Sequence, residues 1–442
     1  MTLINAGLPL ASMDLIPPEL VAELRTQLPG DWDDLLDAFA QPAPVSVRIN
    51  PLKPLHIEAE QIPWCCNGRY LSERPQFTLD PHFHAGRYYV QEASSMMLET
   101  VFHASGLEGR TIMALDLCSA PGGKSTHLRS LLDPGSLLVC NEPDPARRAV
   151  LLENVWKWGH GNTIVTGSPA GKEARLAALF DLVLVDAPCS GEGMMRRDPF
   201  AREQWTPDLV RQCARDQHGI LDTAWSALRP GGTLIYSTCT WEFSENEKQM
   251  ERFVEAYRAE HINIPKAIVH GAVSLGPGIR CYPHRIRGEG LYLCALRKPG
   301  NGPSTVANDS MRSAKSGPEE DVIDQNGVQC LLDPSWHRVL PIIAEHLRIH
   351  STGIPIGTHV HGSTAPHPAA AFNRKAMLLT GFETLEVDRD DALTFLRGEV
   401  IRDIGASGWR LITHDGHGLG WVKGAGLRWN NHHPKAWRIR KR

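Results

Sequence analysis

Cysteines follow two of the apolar segments of the chain. Cys189 comes after LFDLVLVDAP, and Cys239 lies at the end of the next such segment, GTLIYSTCT. If these segments are neighbouring strands, both thiols face one crevice at the carboxyl edge of a sheet. A thiolate there can attack an electrophilic carbon, provided that the site lowers the ordinary thiol pKa of about 8.5. The sequence therefore predicts a two-thiol active site, whereas a single cysteine is ordinarily a small core residue.

Other uses of cysteine are disfavoured. The first residues, MTLINAGLPLASMDL, lack the basic head and long apolar centre of a secretory signal. We therefore expect a cytoplasmic location, where the 10 cysteines stay reduced. Zinc sites need close ligand pairs such as CxxC, which Cys65–Cys66 and the scattered histidines do not supply, so we expect no metal. No apolar run approaches the length of a bilayer span, so we expect no membrane association.

A glycine-containing turn follows the apolar run IMALDLC. Its segment SAPGGKST places Gly122 and Gly123 before a helix, where bare backbone lets a ligand approach closely. A triphosphate-binding loop would need glycine where Cys118 stands. Glu142 ends the next strand about twenty residues on, where an acid accepts hydrogen bonds from ribose hydroxyls. These features predict an adenosine-containing ligand, and Asp116 could orient the turn or meet a cationic ligand group. Either acid alone could instead cap a helix.

The elements that must position these residues alternate regularly. From Thr111 onward, the apolar runs IMALDLC, SLLVCNE, NTIVTG, LFDLVLVDAP and GTLIYSTCT are separated by helix-like stretches. Residues 205–228 have helical apolar spacing, and we expect Pro230-Gly231-Gly232 to stop that helix before the next strand. Continuous apolar strands between helices indicate a parallel sheet covered on both faces, and hence an α/β fold.

Composition divides the chain further. Residues 299–320 are rich in Gly, Pro, Ser and Asn and predict a linker. Residues 1–95 predict a small α+β unit, which precedes the alternating core at 96–298. After the linker we expect two further units, at 321–383 and 384–442.

The end of the chain is basic, although the net charge of the whole is -4. Seven Lys and Arg side chains and no carboxylate lie between Trp421 and Arg442, interleaved with Trp429 and Trp437. Cations that contact phosphates, together with aromatic rings that stack on exposed bases, suit a nucleic-acid partner. A basic terminus that only aids solubility is the alternative.

Six segments carry a resemblance to a known family. They are YYVQEASSM (88–96), LDLCSAPGGKST (115–126), NEPDPARRAVLLENVWKWG (141–159), VDAPCSGEGMMRRDP (185–199), ALRPGGTLIYSTCTWEFSENE (227–247) and GEGLYLCALRK (288–298). With them the chain resembles the NOL1/NOP2/Sun family of RNA cytosine-C5 methyltransferases, most closely its bacterial type that acts on 16S ribosomal RNA. The glycine turn alone would be a weak signal, but the set is specific.

The resemblance implies a Rossmann-like class I methyltransferase core that binds S-adenosyl-L-methionine. It also implies a small N-terminal α+β RNA-binding unit containing VSVRIN, an intermediate domain at 321–383 and a PUA-like RNA-binding domain at 384–442 with the basic tail. In this family the thiol that corresponds to Cys239 attacks carbon 6 of cytosine, and the one that corresponds to Cys189 assists product release. We expect Asp186 to hold the edge of the base. Lys124 could add positive potential, or be an ordinary surface lysine.

The family's cofactor positions also map onto this sequence. Relatives usually carry an aspartate that touches the adenine amino group where this chain has Ser168, which makes that contact a departure from the pattern. The expected cofactor-binding residues are Cys118, Ser119, Ala120, Pro121, Gly122, Gly123, Lys124, Glu142, Arg147, Ser168 and Asp186.

The expected partner is RNA, namely 16S ribosomal RNA within the small subunit or an assembly intermediate, bound by a monomer. Because a stacked helix hides carbons 5 and 6 of cytosine, the target base must be accessible or flipped out. Transfer RNA is the nearest alternative substrate. A non-catalytic RNA-binding assembly factor with a methyltransferase-like shell is the alternative from another class, which both cysteines and the intact glycine turn disfavour.

Overall fold

The computed structural model describes residues 16–169, 171–172, 175–264, 271–302, 321–360 and 363–440. Residues 303–320, most of the predicted linker, lie outside these ranges. The first unit contains a three-stranded antiparallel sheet in the order β2-β1-β3, a short helical turn, and two helices that pack against core residues such as Trp241 and Tyr282. Its elements are α1 (Pro18–Gln27), α2 (Trp32–Ala40), β1 (Val45–Ile49), β2 (Gly68–Leu71), α3 (Pro81–His84) and β3 (Tyr88–Val90).

The core comes next along the chain and contains most of the strands of a large central sheet. Its elements are α4 (Leu98–Ala104), β4 (Met113–Asp116), α5 (Gly123–Leu131), β5 (Leu137–Asn141), α6 (Pro145–Trp158), β6 (Thr163–Thr166), β7 (Phe180–Asp186), α7 (Pro199–Gln204), α8 (Pro207–Ala227), β8 (Leu228–Thr238), α9 (Glu247–Tyr257), β9 (Glu260–His261), β10 (Val273–Leu275), β11 (Gly278–Cys281) and β12 (Leu291–Arg297). Strands β8-β7-β4-β5-β6 are parallel neighbours in that order. The chain reverses its direction of travel across the sheet between β4 and β7, which creates a crevice at their carboxyl ends.

Apolar side chains cover both faces of this sheet. Along β4, Ala114 belongs to a buried cluster shared with Leu128 and Leu151 of α5 and α6, whereas Leu115 belongs to a second cluster with Leu221 of α8. Successive strand residues point to opposite faces, so a sheet buried on both sides needs apolar residues at every position. The α/β fold predicted from the sequence is confirmed.

Helix α8 begins and ends close to the predicted limits, but the reason for its end differs. The Thr206 side chain caps the first turn by accepting a hydrogen bond from the Leu209 backbone N–H, with a proline in the first helical position. The helix ends at Ala227, and β8 starts directly at Leu228. Pro230-Gly231-Gly232 therefore lies inside the strand, where the pairing register with β7 shifts, rather than between helix and strand. No helix in the described parts of the chain is apolar enough over a sufficient length to cross a membrane.

The segment after the predicted linker contributes to the core sheet as well as forming two smaller sheets. Its elements are β13 (Val322–Gln325), β14 (Val328–Leu331), α10 (Val339–His346), β15 (Ile349–Thr352), β16 (Ile354–Val360), β17 (Ser363–Pro366), α11 (Arg374–Thr380), β18 (Glu383–Glu386), α12 (Arg389–Leu396), β19 (Ile401–Ala406), β20 (Trp409–His414), β21 (His417–Gly424) and β22 (Gly426–Asn431). Strand β15 pairs antiparallel with β6 and so extends the core sheet. The last five strands form a separate sheet in the order β18-β20-β21-β22-β19.

The tryptophans of the basic tail pack against the protein. The expectation that they stack on exposed bases is therefore wrong for Trp429. This ring is only 4% exposed and lies in the core of the last sheet. Trp437 packs against the rings of Trp156 and Phe372, at centroid distances of 6.2 and 6.1 Å. The basic residues Lys441 and Arg442 lie outside the described residues.

Trp336 anchors the C-terminal segment to the core. Its ring is fully buried beside the large sheet, and its indole N–H donates to the Gly135 carbonyl at 2.9 Å. We expect Trp336→Ala to destabilise the core by about 3 to 5 kcal/mol, because it leaves a cavity and an unpaired carbonyl. Urea unfolding followed by circular dichroism measures this change. Leu378→Ala, at a side chain 73% exposed, is the matched control and should change stability by less than about 0.5 kcal/mol.

Candidate active site

A cleft of about 470 Å³ opens at the carboxyl ends of β4, β7 and β8. It brings together most of the site residues predicted from the sequence, including both thiols and the glycine turn. Those on its wall are Cys118, Ser119, Ala120, Pro121, Gly123, Lys124, Arg147, Asp186, Cys189 and Cys239. Gly122, Glu142 and Ser168 are not on the wall.

The two predicted thiols are in contact. Because β7 and β8 are adjacent parallel strands with Asp186 opposite Ser237, the residues that follow each strand lie side by side. The Cys189 Sγ is 3.3 Å from the Cys239 Sγ, which is hydrogen-bond distance for sulfur. The backbone of the two loops is also joined, since the Gly193 N–H donates to the Cys239 carbonyl at 2.9 Å.

The surroundings of the two sulfurs differ. The hydrogen bond from Cys189 lowers the pKa of Cys239, and the nearby cations Lys124 and Arg197 lower it further, against the effects of burial and of Asp186. The same contact with Cys239, together with burial and the nearby carboxyl group of Glu245, raises the pKa of Cys189 well above its usual value. The arrangement favours a thiolate at Cys239, held by the S–H of Cys189.

Lys124 and Asp186 form an ion pair in the floor of the cleft. The Lys124 Nζ lies 2.8 Å from the Asp186 Oδ1, and the Ser237 hydroxyl donates to the same oxygen at 2.8 Å. Burial works against a charged amine, but the adjacent carboxylate raises the pKa of Lys124 overall. Lys124 is thus a partly buried, charged member of the site and not an ordinary surface lysine. Both donors bind Oδ1, so Oδ2 of Asp186 is the oxygen that can meet a ligand.

The glycine turn has the backbone that the sequence requires. Gly122 has a φ of 111°, a left-handed conformation that side-chain-bearing residues rarely adopt. A Cβ on Gly123 would lie 3.4 Å from the Tyr89 ring across the cleft. Beneath the turn, the buried Asp116 accepts a hydrogen bond from the Ser125 hydroxyl at 2.7 Å, and burial raises its pKa to about 7. Of its two expected roles, Asp116 takes that of orienting the turn, since it does not reach the cleft.

Glu142 and Arg147 form a second ion pair at the rim. The Glu142 Oε2 is 3.3 Å from an Arg147 nitrogen, and its Oε1 accepts from the Asp144 backbone N–H at 2.9 Å. Arg147 also donates to the Ala120 carbonyl at 3.0 Å, so its guanidinium lies between Glu142 and the glycine turn. The hydroxyl of Ser168 accepts from the Arg348 backbone N–H at 3.0 Å. Ser168 therefore holds the C-terminal segment and does not face the cleft.

Sequence reasoning missed several groups of the site. Arg197 lines the cleft beside Cys239, and Tyr89 and Glu92 form its opposite wall. The basic pair in GEGMMRRDP, eight residues after Cys189, was the available signal for Arg197. Two buried carboxyl groups, Glu192 and Glu245, lie behind the thiols and were also missed.

Three potential metal ligands converge away from the cleft. The ligand atoms of Cys65, Glu99 and His127 lie within 4.8 Å of one another, and all three residues are buried. Glu99 already accepts hydrogen bonds from the Cys66 backbone N–H at 3.1 Å and pairs with His127 at 3.2 Å. These contacts account for the group as a hydrogen-bonded part of the core. Its members are too far apart in sequence for spacing to have revealed it.

The electrostatics of Cys239 can be tested without any substrate. Replacing Lys124 by Met removes the nearest cation and should raise the pKa of Cys239. We expect the rate of Cys239 alkylation by iodoacetamide at pH 7 to fall by roughly tenfold. Peptide mass spectrometry over a pH series follows this one residue. Lys375→Met, at a lysine paired with Asp321 far from the cleft, is the control; an equal effect of both variants would contradict the assignment.

Comparison with known proteins places three family models along the chain. The model of the N-terminal domain of 16S rRNA methyltransferase RsmF matches residues 16–93. The model 16S rRNA methyltransferase RsmB/F matches residues 107–297, and the RsmF PUA domain matches residues 382–439. Together they account for most of the chain.

Individual relatives agree with these models. Ribosomal RNA small subunit methyltransferase F of Aliivibrio fischeri is 28% identical over 466 residues, covering 95% of this chain and 97% of that protein. The protein of the same name from Pectobacterium carotovorum is 32% identical, and the match covers 65% of this chain and 64% of that relative, less than two thirds of its length. A solved methyltransferase homologue from Pyrococcus horikoshii is 26% identical with a TM-score of 0.55, covering 66% of this chain and all of that one.

Proposed function

Because the chain belongs to the RsmB/F family of 16S rRNA methyltransferases, we propose that it methylates carbon 5 of cytosine in 16S ribosomal RNA. The observation that carries this proposal is the contact between the Cys189 and Cys239 sulfurs beside the glycine turn. We place its action in the cytoplasm, as a monomer on the small subunit or on an assembly intermediate.

The described residues fit S-adenosyl-L-methionine. Gly122 and Gly123 leave bare backbone at the start of α5, and the cleft volume of about 470 Å³ is within the range of small-molecule sites. Glu142 and Arg147 would hold the ribose end of the cofactor, and the segment from Cys118 to Lys124 would hold the amino-acid end. When bound, this cofactor supplies an electrophilic methyl group on a sulfonium.

The residues of this chain then divide the work on the base. Carbon 5 of cytosine is a poor nucleophile until the Cys239 thiolate adds to carbon 6 and places electron density on it. Asp186, through Oδ2, accepts a hydrogen bond from the amino group of the base, while Lys124 offsets the negative charge that develops. After methylation, the proton on carbon 5 leaves with help from Cys189, the carbon 6–sulfur bond breaks, and Cys239 recovers its electron pair.

A second groove supports an RNA substrate. It has a volume of about 710 Å³ and is lined by four arginines, Arg74, Arg196, Arg197 and Arg287, between the N-terminal unit and the core. Arg197 lines both the groove and the cleft, so the two are contiguous. Arg196 pairs with Glu289 and Arg287 with Glu60, so Arg74 and Arg197 are the cations proposed to meet the phosphates on either side of a flipped-out cytosine.

The separate roles proposed for Cys239 and Cys189 can be distinguished by a covalent-adduct assay. Cys189→Ala should leave Cys239 able to attack, although loss of the hydrogen bond from Cys189 raises its pKa, and should slow the release of the product by about 10²-fold or more because the group that assists proton removal is missing. A covalent protein–RNA species should then appear as a slow band on a denaturing gel. Cys239→Ala should give no such band. A slow band with Cys239→Ala and none with Cys189→Ala would mean that Cys189 attacks the base and Cys239 assists release.

Substrate class is tested by mapping 5-methylcytosine after incubating the purified protein and S-adenosylmethionine with small ribosomal subunits, free 16S RNA or transfer RNA. We expect methylated cytosine in the 16S RNA, and none with the Cys239→Ala protein. If only transfer RNA were methylated, the substrate would be transfer RNA and not 16S ribosomal RNA. Absence of methylation on every RNA, with RNA binding retained, would favour the assembly factor.

A further inference from the structure

Two carboxyl groups lie directly behind the thiols and take no part in the mechanism above. Glu192 and Glu245 both have no solvent exposure. Glu192 is in the loop that follows Cys189, and Glu245 is in the loop between Cys239 and helix α9. Buried carboxyl groups are costly unless hydrogen bonds or a proton compensate for the lost water, so this pair requires an explanation.

Glu245 holds the loop that carries Cys189. Its Oε2 accepts from the Ser190 backbone N–H at 3.2 Å, and its Oε1 lies 2.5 Å from the Ser190 hydroxyl. The side-chain amide of Gln217 donates to the same Oε2 at 2.6 Å and to the Pro188 carbonyl at 2.9 Å. Glu245 therefore fixes the residues on both sides of Cys189.

Glu192 holds the loop that carries Cys239. Its Oε2 accepts from the Thr240 hydroxyl at 2.7 Å and from the Trp241 backbone N–H at 2.8 Å. Its Oε1 accepts from the Trp205 indole at 2.8 Å and lies 3.1 Å from the Ser190 hydroxyl. Each glutamate thus clamps the loop to which it does not belong, which ties the two cysteine loops together.

The two clamps meet at the Ser190 hydroxyl, where the oxygen–oxygen contacts outnumber the hydroxyl hydrogens. Four oxygen–oxygen contacts join Ser190, Thr240, Glu192 and Glu245, but the two hydroxyls supply one hydrogen each. A proton on Glu245 supplies a third hydrogen, so that Glu245 donates to Ser190, Ser190 to Thr240 and Thr240 to Glu192, and only the longest contact, between Ser190 and Glu192 at 3.1 Å, has none. Without that proton, both carboxyl groups are charged, and the single hydrogen of the Ser190 hydroxyl between them can bind only one of the two.

Among the described residues, no cation is found among the main electrostatic neighbours of Glu192 and Glu245. Glu245 is faced by Cys189, Cys213 of α8 and Tyr236 of β8, and Glu192 is faced by Glu242, which in turn meets Glu23 of α1. Burial raises the pKa of Glu245 to about 7 and also raises the pKa of Glu192. The shared proton is therefore present in acid and is lost as the pH rises through neutrality.

We propose that Glu192 and Glu245, sharing one proton through Ser190 and Thr240, are positioning residues that hold the Cys189 and Cys239 sulfurs in contact. Loss of that proton places two like charges beside each other, loosens the clamp and separates the sulfurs. The enzyme then has two independent pH limits. Activity falls in acid because Cys239 becomes protonated. It falls in alkali because the carboxyl pair loses its shared proton. This inference rests on the proposed function only for its effect on turnover.

Glu245→Gln tests the proposal because it imitates the protonated state at every pH. The amide oxygen can accept from Ser190 and Gln217, and the amide nitrogen can donate to the Ser190 hydroxyl. We expect the kcat of this variant to lose the decline that the parent shows at alkaline pH, with an unchanged KM for RNA. Glu99→Gln, at a buried carboxylate remote from the thiols, is the matched control and should leave the alkaline limit in place.

A second assay needs no RNA and separates this inference from the proposed function. Diamide accepts the two electrons and two protons released when Cys189 and Cys239 form a disulfide, and peptide mass spectrometry measures the rate. In the parent this rate should pass through a maximum and fall at alkaline pH, although thiolate becomes more abundant. In Glu245→Gln it should keep rising, and in Glu245→Ala it should be lower at pH 7 by about tenfold or more.

Two results would contradict the proposed role of the carboxyl pair. A parent rate of disulfide formation that rises steadily with pH and is matched by Glu245→Gln would overturn the proposal. So would an alkaline limit of kcat that Glu245→Gln leaves unmoved. If Glu245→Ala fails to fold, the comparison between parent and Glu245→Gln still decides, because that pair differs only in whether the residue can ionise.

Discussion

The parallel pairing of β7 with β8 is the constraint on which the site depends. Two strands that run side by side in the same direction end at the same edge, so the residues just beyond them must be neighbours. Asp186 and Ser237 occupy equivalent positions in this pairing, and the loops that follow them bring Cys189 and Cys239 to 3.3 Å. The glycine turn after β4 reaches the same crevice because β4 is the next strand along the sheet. The glycine turn, Cys239 and Cys189 are therefore brought together by the topology of the sheet.

Sheet pairing alone would leave the two thiols equivalent, and the surrounding charges remove that equivalence. Lys124 and Arg197 lie on the side of Cys239, whereas Glu245 lies on the side of Cys189. In the proposed mechanism the attacking thiol must be ionised, whereas the assisting thiol must be able to carry a proton. The charges around the two sulfurs favour ionisation of Cys239 and protonation of Cys189. The ion pair of Lys124 with Asp186 lies in the same cleft, beside Cys239.

Much of this could be predicted from the sequence, because strand ends and glycine turns have local signatures. The continuous apolar runs predicted the sheet, and the residues just after them predicted the thiols, Asp186 and the turn. What could not be predicted depends on contacts between distant segments. The addition of β15 to the core sheet, the burial of Trp429 and the placement of Ser168 against Arg348 are all of this kind. The pairing of Glu192 with the Cys239 loop and of Glu245 with the Cys189 loop likewise has no local pattern.

The central claim is that Cys239, and not Cys189, forms the bond to carbon 6 of the target base. Small-subunit RNA made with 5-fluorocytosine tests it most directly, because fluorine on carbon 5 cannot leave as a proton and the methylated adduct cannot break down. Digestion and mass spectrometry of the trapped complex identify the attached residue in the unmodified protein. A nucleotide on the peptide that contains Cys239 is the predicted result. A nucleotide on the peptide that contains Cys189, or the absence of any adduct while ordinary RNA is methylated, would contradict the account.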